Sequence, residues 1–147
     1  MEKTGKDKSD KEKKIEAKLE KAFAKKQEAF RKGSSEPADL LSLLLDDLPF
    51  KSTNKSMKME TFAMVFKTFK KIKVGDLTQL TETLGEDKSI DLLKYCFKAF
   101  ELVHRQDQDV IEMISFPLCL NYLNVTSEQF GSIGIARTGF ERGDLYD

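Results

Sequence analysis

Large apolar residues recur every three or four positions along most of this chain, and no segment alternates apolar and polar residues with a period of two. Intervals of three and four place side chains on one face of an α-helix, whereas alternation would indicate a β-strand. Two segments show the helical pattern most clearly: Phe62, Val65, Phe66, Phe69 and Ile72, and then Leu93, Cys96, Phe97, Phe100 and Val103. The sequence therefore predicts an all-α fold, with Leu93, Phe97 and Phe100 in the core.

Glycines, prolines and polar turns divide this pattern into about six to seven helices. We expect a break at 33–35, a helix start at Pro37, and helix stops at Pro49, Gly75 and Gly85. Polar turns are expected at 51–54 and 86–88, with the next helix starting at Ser89, and a kink or break at Pro117. Asp76 and Thr126 each begin a capping-box pattern. The 147 residues are 39% hydrophobic and include 11 phenylalanines, enough to fill one core. We expect a helical bundle or a right-handed array of antiparallel helix pairs, preceded by a charged N-terminal helix.

Charge separates the N-terminal segment from the rest of the chain. Residues 1–32 contain 12 lysines and arginines against 7 aspartates and glutamates, whereas the remainder contains 13 against 18, giving net charges of +5 and −5. We therefore expect a basic helical arm at 1–32, a helical domain at 33–138 and an irregular C-terminal tail at 139–147.

The arm has one narrow apolar stripe and three possible roles. Ile15, Leu19, Phe23 and Phe30 are its only large apolar residues after Met1, and their spacing places them together as a possible interface. The arm could bind a protein, lie solvated on the surface, or bind a polyanion such as nucleic acid or an anionic membrane. Seven acidic residues and the absence of aromatic side chains interleaved with its lysines make nucleic acid the weaker alternative.

No catalytic, cofactor or metal site is expected. His104, the only histidine, falls at the end of a predicted helix, where it is more typical of a C-terminal cap than of a general base. Cys96, His104 and Cys119 have unsuitable spacing for zinc, and two cysteines are too few for a disulfide framework. The 131–134 segment, Gly-Ser-Ile-Gly, lacks the preceding strand and following Gly-Lys of a phosphate-binding loop, so close helix packing is the simpler interpretation. No segment is apolar enough for a secretory signal or a transmembrane helix, which predicts a cytosolic or nuclear protein.

The chain from Leu44 onward resembles subunit 5, the smallest subunit, of the actin-related protein 2/3 complex. The resemblance is most specific at 91–101, where an Asp-Leu-Leu run is followed by Lys-Tyr, an aromatic residue, Lys, a small residue and Phe-Glu; its motif residues are Asp91, Leu92, Leu93, Lys94, Tyr95, Phe97, Lys98 and Phe100. It continues at the C-terminus through Gly131, Ser132 and Ile133, followed by Arg137 and Thr138.

The resemblance implies an α-α superhelix and a non-catalytic structural role in an actin-nucleating complex of the cytoplasm and cytoskeleton. It implies other subunits of that complex as partners, including actin-related protein 2, with no small-molecule substrate and no cofactor. Gly131, Ser132, Ile133 and Arg137 are possible interface residues. The N-terminal segment of that family is typically acidic and extended, whereas residues 1–32 here are basic and helical. A free-standing or microtubule- or axoneme-associated adaptor, with a basic arm that binds an acidic surface, is therefore the alternative hypothesis.

Overall fold

A computed structural model describes the backbone at residues 2–33, 35–49, 52, 54–106 and 108–141, and side chains at those of these residues that lie between Asp10 and Gly131. Its elements are α1 (Glu2–Lys32), α2 (Pro37–Leu44), α3 (Lys55–Phe69), a short 3-10 helix (Val74–Asp76), α4 (Leu77–His104), α5 (Gln108–Met113) and α6 (Phe116–Glu141). The described residues contain six α-helices and no strand, so the prediction of an all-α fold is confirmed.

The core is built around the long helix α4, which packs most extensively against α6 and also contacts α2 and α5. Aromatic rings hold its centre together: the centroids of Phe62 and Phe66 lie 4.6 Å apart, and Phe69 and Tyr122 meet edge to face at 5.4 Å. Tyr122 also donates a 2.8 Å hydrogen bond from its hydroxyl to the carbonyl of Ser89. The apolar stripes read from the sequence therefore converge on one core.

Two glycines interrupt α4 and α6. Gly85 has φ 79° within α4 and Gly131 has φ 66° within α6, a left-handed conformation that glycine adopts without the penalty of a Cβ atom. The predicted stop at Gly85 is thus a kink, after which the helix resumes at once rather than at Ser89.

The helix start expected at Thr126 is wrong, whereas the break expected at Pro117 and the helix start expected at Asp76 are present. Thr126 lies inside α6, where its hydroxyl donates to the carbonyls of Tyr122 and Leu123 instead of capping a new helix. The break expected at Pro117 separates α5, which ends at Met113, from α6, which begins at Phe116. Pro117 stands in the first turn of α6, where its missing N–H costs nothing. Helix α4 starts at Leu77 directly after Asp76, as expected, but the Asp76 side chain makes no capping hydrogen bond. Asn54, expected in a turn, caps α3 by accepting from the N–H of Met57 at 3.1 Å.

The C-terminus also differs from the expected boundary. Helix α6 continues through Glu141, beyond Gly139 where the irregular tail was expected to begin, and residues 142–147 lie outside the described part of the chain.

Candidate protein-interaction surface

The motif residues of the 91–101 segment all lie on α4, and they differ in burial and in charge. Leu92, Leu93 and Tyr95 are buried in the core. Phe97 and Phe100, which the sequence placed in the core, pack against its edge and remain partly exposed. The remaining motif residues, Asp91, Lys94 and Lys98, carry charges, so this segment combines a structural face with a charged one.

The charged motif residues form a line of ion pairs along α4. The Lys94 ammonium lies 3.1 Å from an Asp91 carboxylate oxygen, and Lys98 lies 3.7 Å from Glu101. Glu101 also pairs with Arg105 at 2.9 Å. Lys94 and Lys98 are both buried, which is unusual for lysine. A buried ammonium group loses its hydration and needs an acidic partner to offset that loss. The pairs therefore satisfy charges that the packing of α4 encloses.

A partly exposed apolar patch lies where α4 meets the start of α6. The rings of Phe97 and Phe100 are 6.2 Å apart, and Phe100 is 6.2 Å from Phe116. Leu120, one turn after Phe116 on α6, has 52% of its surface exposed. We call Phe97, Phe100, Phe116 and Leu120 the phenylalanine patch. Aromatic side chains left accessible beside a well-packed core are typical anchors of protein interfaces.

The helical arm docks on the body through the apolar stripe found in the sequence. Leu19 is buried, and Phe23 and Phe30 pack partly buried against the core, where α1 contacts α2 and α3. Ile15 lies one turn upstream of Leu19 on the same stripe but is 41% exposed. The stripe thus attaches the arm to the body from about Glu16 onward and leaves the preceding turn uncovered.

Lys26 completes this stripe and was missed by the sequence reasoning. It is only 2% exposed, and its ammonium donates a 3.3 Å hydrogen bond to the carbonyl of Asp47. Burial lowers the pKa of Lys26 to about 8, while the carboxylates of Asp47 and Asp46 act in the opposite direction. The sequence did contain a sign of this burial. Lys26 lies three residues after Phe23 and four before Phe30, and a helix therefore places it on the same face as these two phenylalanines.

Further polar contacts fix the arm's register. Lys18 pairs with Asp47 at 3.6 Å, the Ser52 hydroxyl donates to Glu16 at 3.0 Å, and the amide of Gln27 donates to Glu60 at 3.0 Å. Most of these groups are exposed, so each contact contributes little free energy. Together they join α1 to the segment between α2 and α3, through Asp47 and Ser52, and to α3, through Glu60.

The C-terminal candidates are only partly described. Gly131 lies at the kink of α6, and its positive φ rather than close helix packing explains the glycine, because a Cβ placed there would meet no atom within 4 Å. Ser132, Ile133 and Arg137 follow on the same helix, and their side chains lie outside the described residues.

Of the three residues considered for zinc binding, Cys96 and Cys119 are in contact and buried, whereas His104 is exposed. Burial raises the pKa of the Cys96 thiol, and its hydrogen bond with Cys119 acts in the same direction, so the nucleophilic thiolate is disfavoured. His104 is exposed in the last turn of α4. In the part of the chain that the structure describes, no three His, Cys, Asp or Glu side chains are grouped to hold a metal, and no helix has the length and apolar character needed to cross a bilayer.

Comparison with known protein families identifies a match over most of the chain. A family model described as ARP2/3 complex 16 kDa subunit (p16-Arc) matches residues 2–138. A search of curated proteins found no match. The family match includes α1 as well as the helical body, and it therefore extends beyond the segment in which the sequence resemblance was noted.

Proposed function

The chain belongs to the family of the ARP2/3 complex 16 kDa subunit, and from this membership we propose that it is a non-catalytic structural subunit supporting actin nucleation and branched filament assembly. It acts through contacts with neighbouring subunits, including actin-related protein 2, in the cytoplasmic actin cytoskeleton. The observation that carries the proposal is the extent of the family match, which covers the arm and the body together.

The phenylalanine patch supports a docking role for the body. Phe97 and Phe100 belong to the family motif, and they adjoin Phe116 and the exposed Leu120 to form an apolar surface on two rigid helices. A rigid aromatic surface loses little conformational entropy on binding, which suits a permanent neighbour in a complex.

Affinity purification of the tagged chain from its source cell tests the proposal. We expect recovery of the other subunits of the actin-related protein 2/3 complex in equal amounts. Recovery of tubulin or axonemal proteins without those subunits would instead support the alternative of a free-standing adaptor.

A matched pair of substitutions tests the phenylalanine patch. Leu120 and Val74 are equally exposed at 52%, but Val74 lies on the 3-10 helix and outside the patch. Leu120→Glu should weaken binding to a complex depleted of its 16 kDa subunit by about tenfold, as truncation of an interface anchor does. Val74→Glu should change it less than about twofold. Equal effects of the two substitutions would remove the patch from the interface.

A further inference from the structure

The solvent side of α1 carries a regular row of lysines. Lys11, Lys14, Lys18, Lys21 and Lys25 follow one another at intervals of three, four, three and four residues, and all five are exposed. Alternating intervals of three and four residues stay close to the 3.6 residues of one helical turn. The five ammonium groups therefore lie on one side of the helix over about 21 Å. We call these five residues the lysine row.

The acidic residues of the same segment lie on a different side. Glu12, Glu16 and Glu20 are spaced by four residues, and at about 100° per residue their row lies roughly half a turn around the axis from the lysine row. Glu16 faces the body, where it accepts the hydrogen bond from Ser52. Between residues 11 and 25 the lysine row and the glutamate row therefore lie on opposite sides of the helix.

Within the part of the chain that the structure describes, the lysine row has almost no ion-pair partners. Lys18 pairs with Asp47 and keeps 75% of its side chain exposed. Among the residues that the structure describes, Lys11, Lys14, Lys21 and Lys25 have no carboxylate at ion-pair distance. Four uncompensated positive charges within about four turns of helix create a potential that an acidic surface would complement.

The surroundings of the row disfavour insertion of α1 into a membrane and stacking on a single-stranded nucleic acid. A helix that lies in a membrane interface inserts an apolar face, but the apolar face of α1 is packed on the body through Leu19 and Phe23. Single-stranded nucleic acid requires aromatic stacking residues, and the lysine row contains none. A row of carboxylates on a rigid protein surface fits the spacing without either feature.

We propose that the lysine row of α1 is a docking surface for an acidic face of a neighbouring subunit in the same complex. This contact rests on the proposed function and adds to it a second interface, distinct from the phenylalanine patch and on another helix. The apolar stripe attaches α1 to the body, and the lysine row faces the partner.

The test compares two triple substitutions that remove the same charge. One variant carries Lys14→Gln, Lys21→Gln and Lys25→Gln on the row; Lys18 is kept because it contacts Asp47. The control carries Lys55→Gln, Lys70→Gln and Lys73→Gln at exposed positions on and after α3. Circular dichroism verifies that both retain their helices, and binding to the complex depleted of its 16 kDa subunit is then measured across a salt series.

The row variant should bind about tenfold more weakly at low salt, a difference of about 1.4 kcal/mol, and the difference should shrink as salt screens the charges. The control should change binding less than about twofold. A photo-crosslinker at position 21 should join the chain to an acidic segment of one other subunit.

Several results would overturn the proposal. Equal affinity of the row variant and the control would leave the row without a partner in the complex, while the proposed function would stand if the unmodified chain still bound. Crosslinks only to a second copy of the chain would assign the row to self-association. Row-dependent binding to phosphatidylserine vesicles or to duplex DNA, with unchanged binding to the complex, would assign it to a phosphate surface. Failure of the unmodified chain to bind the depleted complex would reject both proposals.

Discussion

Replacing Lys26 with methionine should preserve or strengthen the attachment of the arm at neutral pH. Methionine keeps the unbranched shape of the side chain and removes an ammonium group that loses its hydration on burial. The lowering of the pKa of Lys26 from 10.5 to about 8 corresponds to a cost of about 3 kcal/mol for holding the charged form in the folded state. The lost hydrogen bond to the carbonyl of Asp47 offsets part of this gain, and water can replace it because Asp47 is exposed.

The pH dependence gives the sharper test. The folded pKa of Lys26 lies below its unfolded value, so the unfolded chain binds more protons in the window from about pH 8 to about pH 10.5, and stability rises with pH there. Between about pH 7 and pH 9.5 this contribution amounts to about 2 kcal/mol in the unmodified chain and is absent from Lys26→Met. The advantage of the methionine variant should therefore shrink by that amount as pH rises.

Urea unfolding followed by far-ultraviolet circular dichroism measures this effect, because α1 supplies 31 helical residues to the signal. The control is Lys25→Met, one position away on the exposed lysine row, which should not alter the pH slope. The reasoning fails if Lys26→Met loses more than about 1 kcal/mol at neutral pH, or if it keeps the pH slope of the unmodified chain.

Other substitutions test the packing of the body by unfolding measurements. Tyr122→Phe should cost about 1 to 2 kcal/mol, because it removes the buried hydroxyl that donates to Ser89. Tyr95→Phe should be neutral or stabilising, because the buried Tyr95 hydroxyl has no hydrogen-bond partner among the described residues, and an equal loss in both variants would contradict this. Gly85→Ala should cost about 1 kcal/mol or more through its left-handed backbone, and Gly75→Ala, in open space without a positive φ, should cost less. Leu93→Ala should lower the free energy of unfolding by about 2 to 5 kcal/mol, because Leu93 is buried. Phe97→Ala should lower it by less than about 3 kcal/mol, because Phe97 is partly exposed, and a larger loss for Phe97 than for Leu93 would place Phe97 in the core.

The sequence predicted helix identity well because the apolar period extends over several turns. It located helix ends less well, since they depend on single side chains with alternative partners. Thr126 illustrates this: its hydroxyl finds carbonyls of the preceding turn, so the capping pattern with Gln129 has no effect. Asn54 was overlooked because no acidic or amide residue follows it at the third position, although its own side chain caps α3.

The candidate surfaces were also predicted only in part from the sequence. The apolar stripe of the arm was visible from Leu19 and Phe23, but the burial of Lys26 was not, because a lysine within a lysine-rich helix is expected to be solvated. Phe97 and Phe100 share the period of the buried Leu93, and only the packing of α6 against α4 determines that they lie at the core's edge. Periodicity identifies the inward side of a helix, whereas the limit of the core depends on its neighbours.

Adding the chain back to a complex depleted of its 16 kDa subunit tests the central claim most directly. The readout is the density of actin branches, counted by fluorescence microscopy with an activating factor present, together with the amount of chain that copurifies with the complex. A structural subunit should bind in equal amounts and restore branching, and Leu120→Glu should restore less at the same concentration. If the chain neither binds nor restores branching while an authentic 16 kDa subunit does both, it is not a working subunit of that complex.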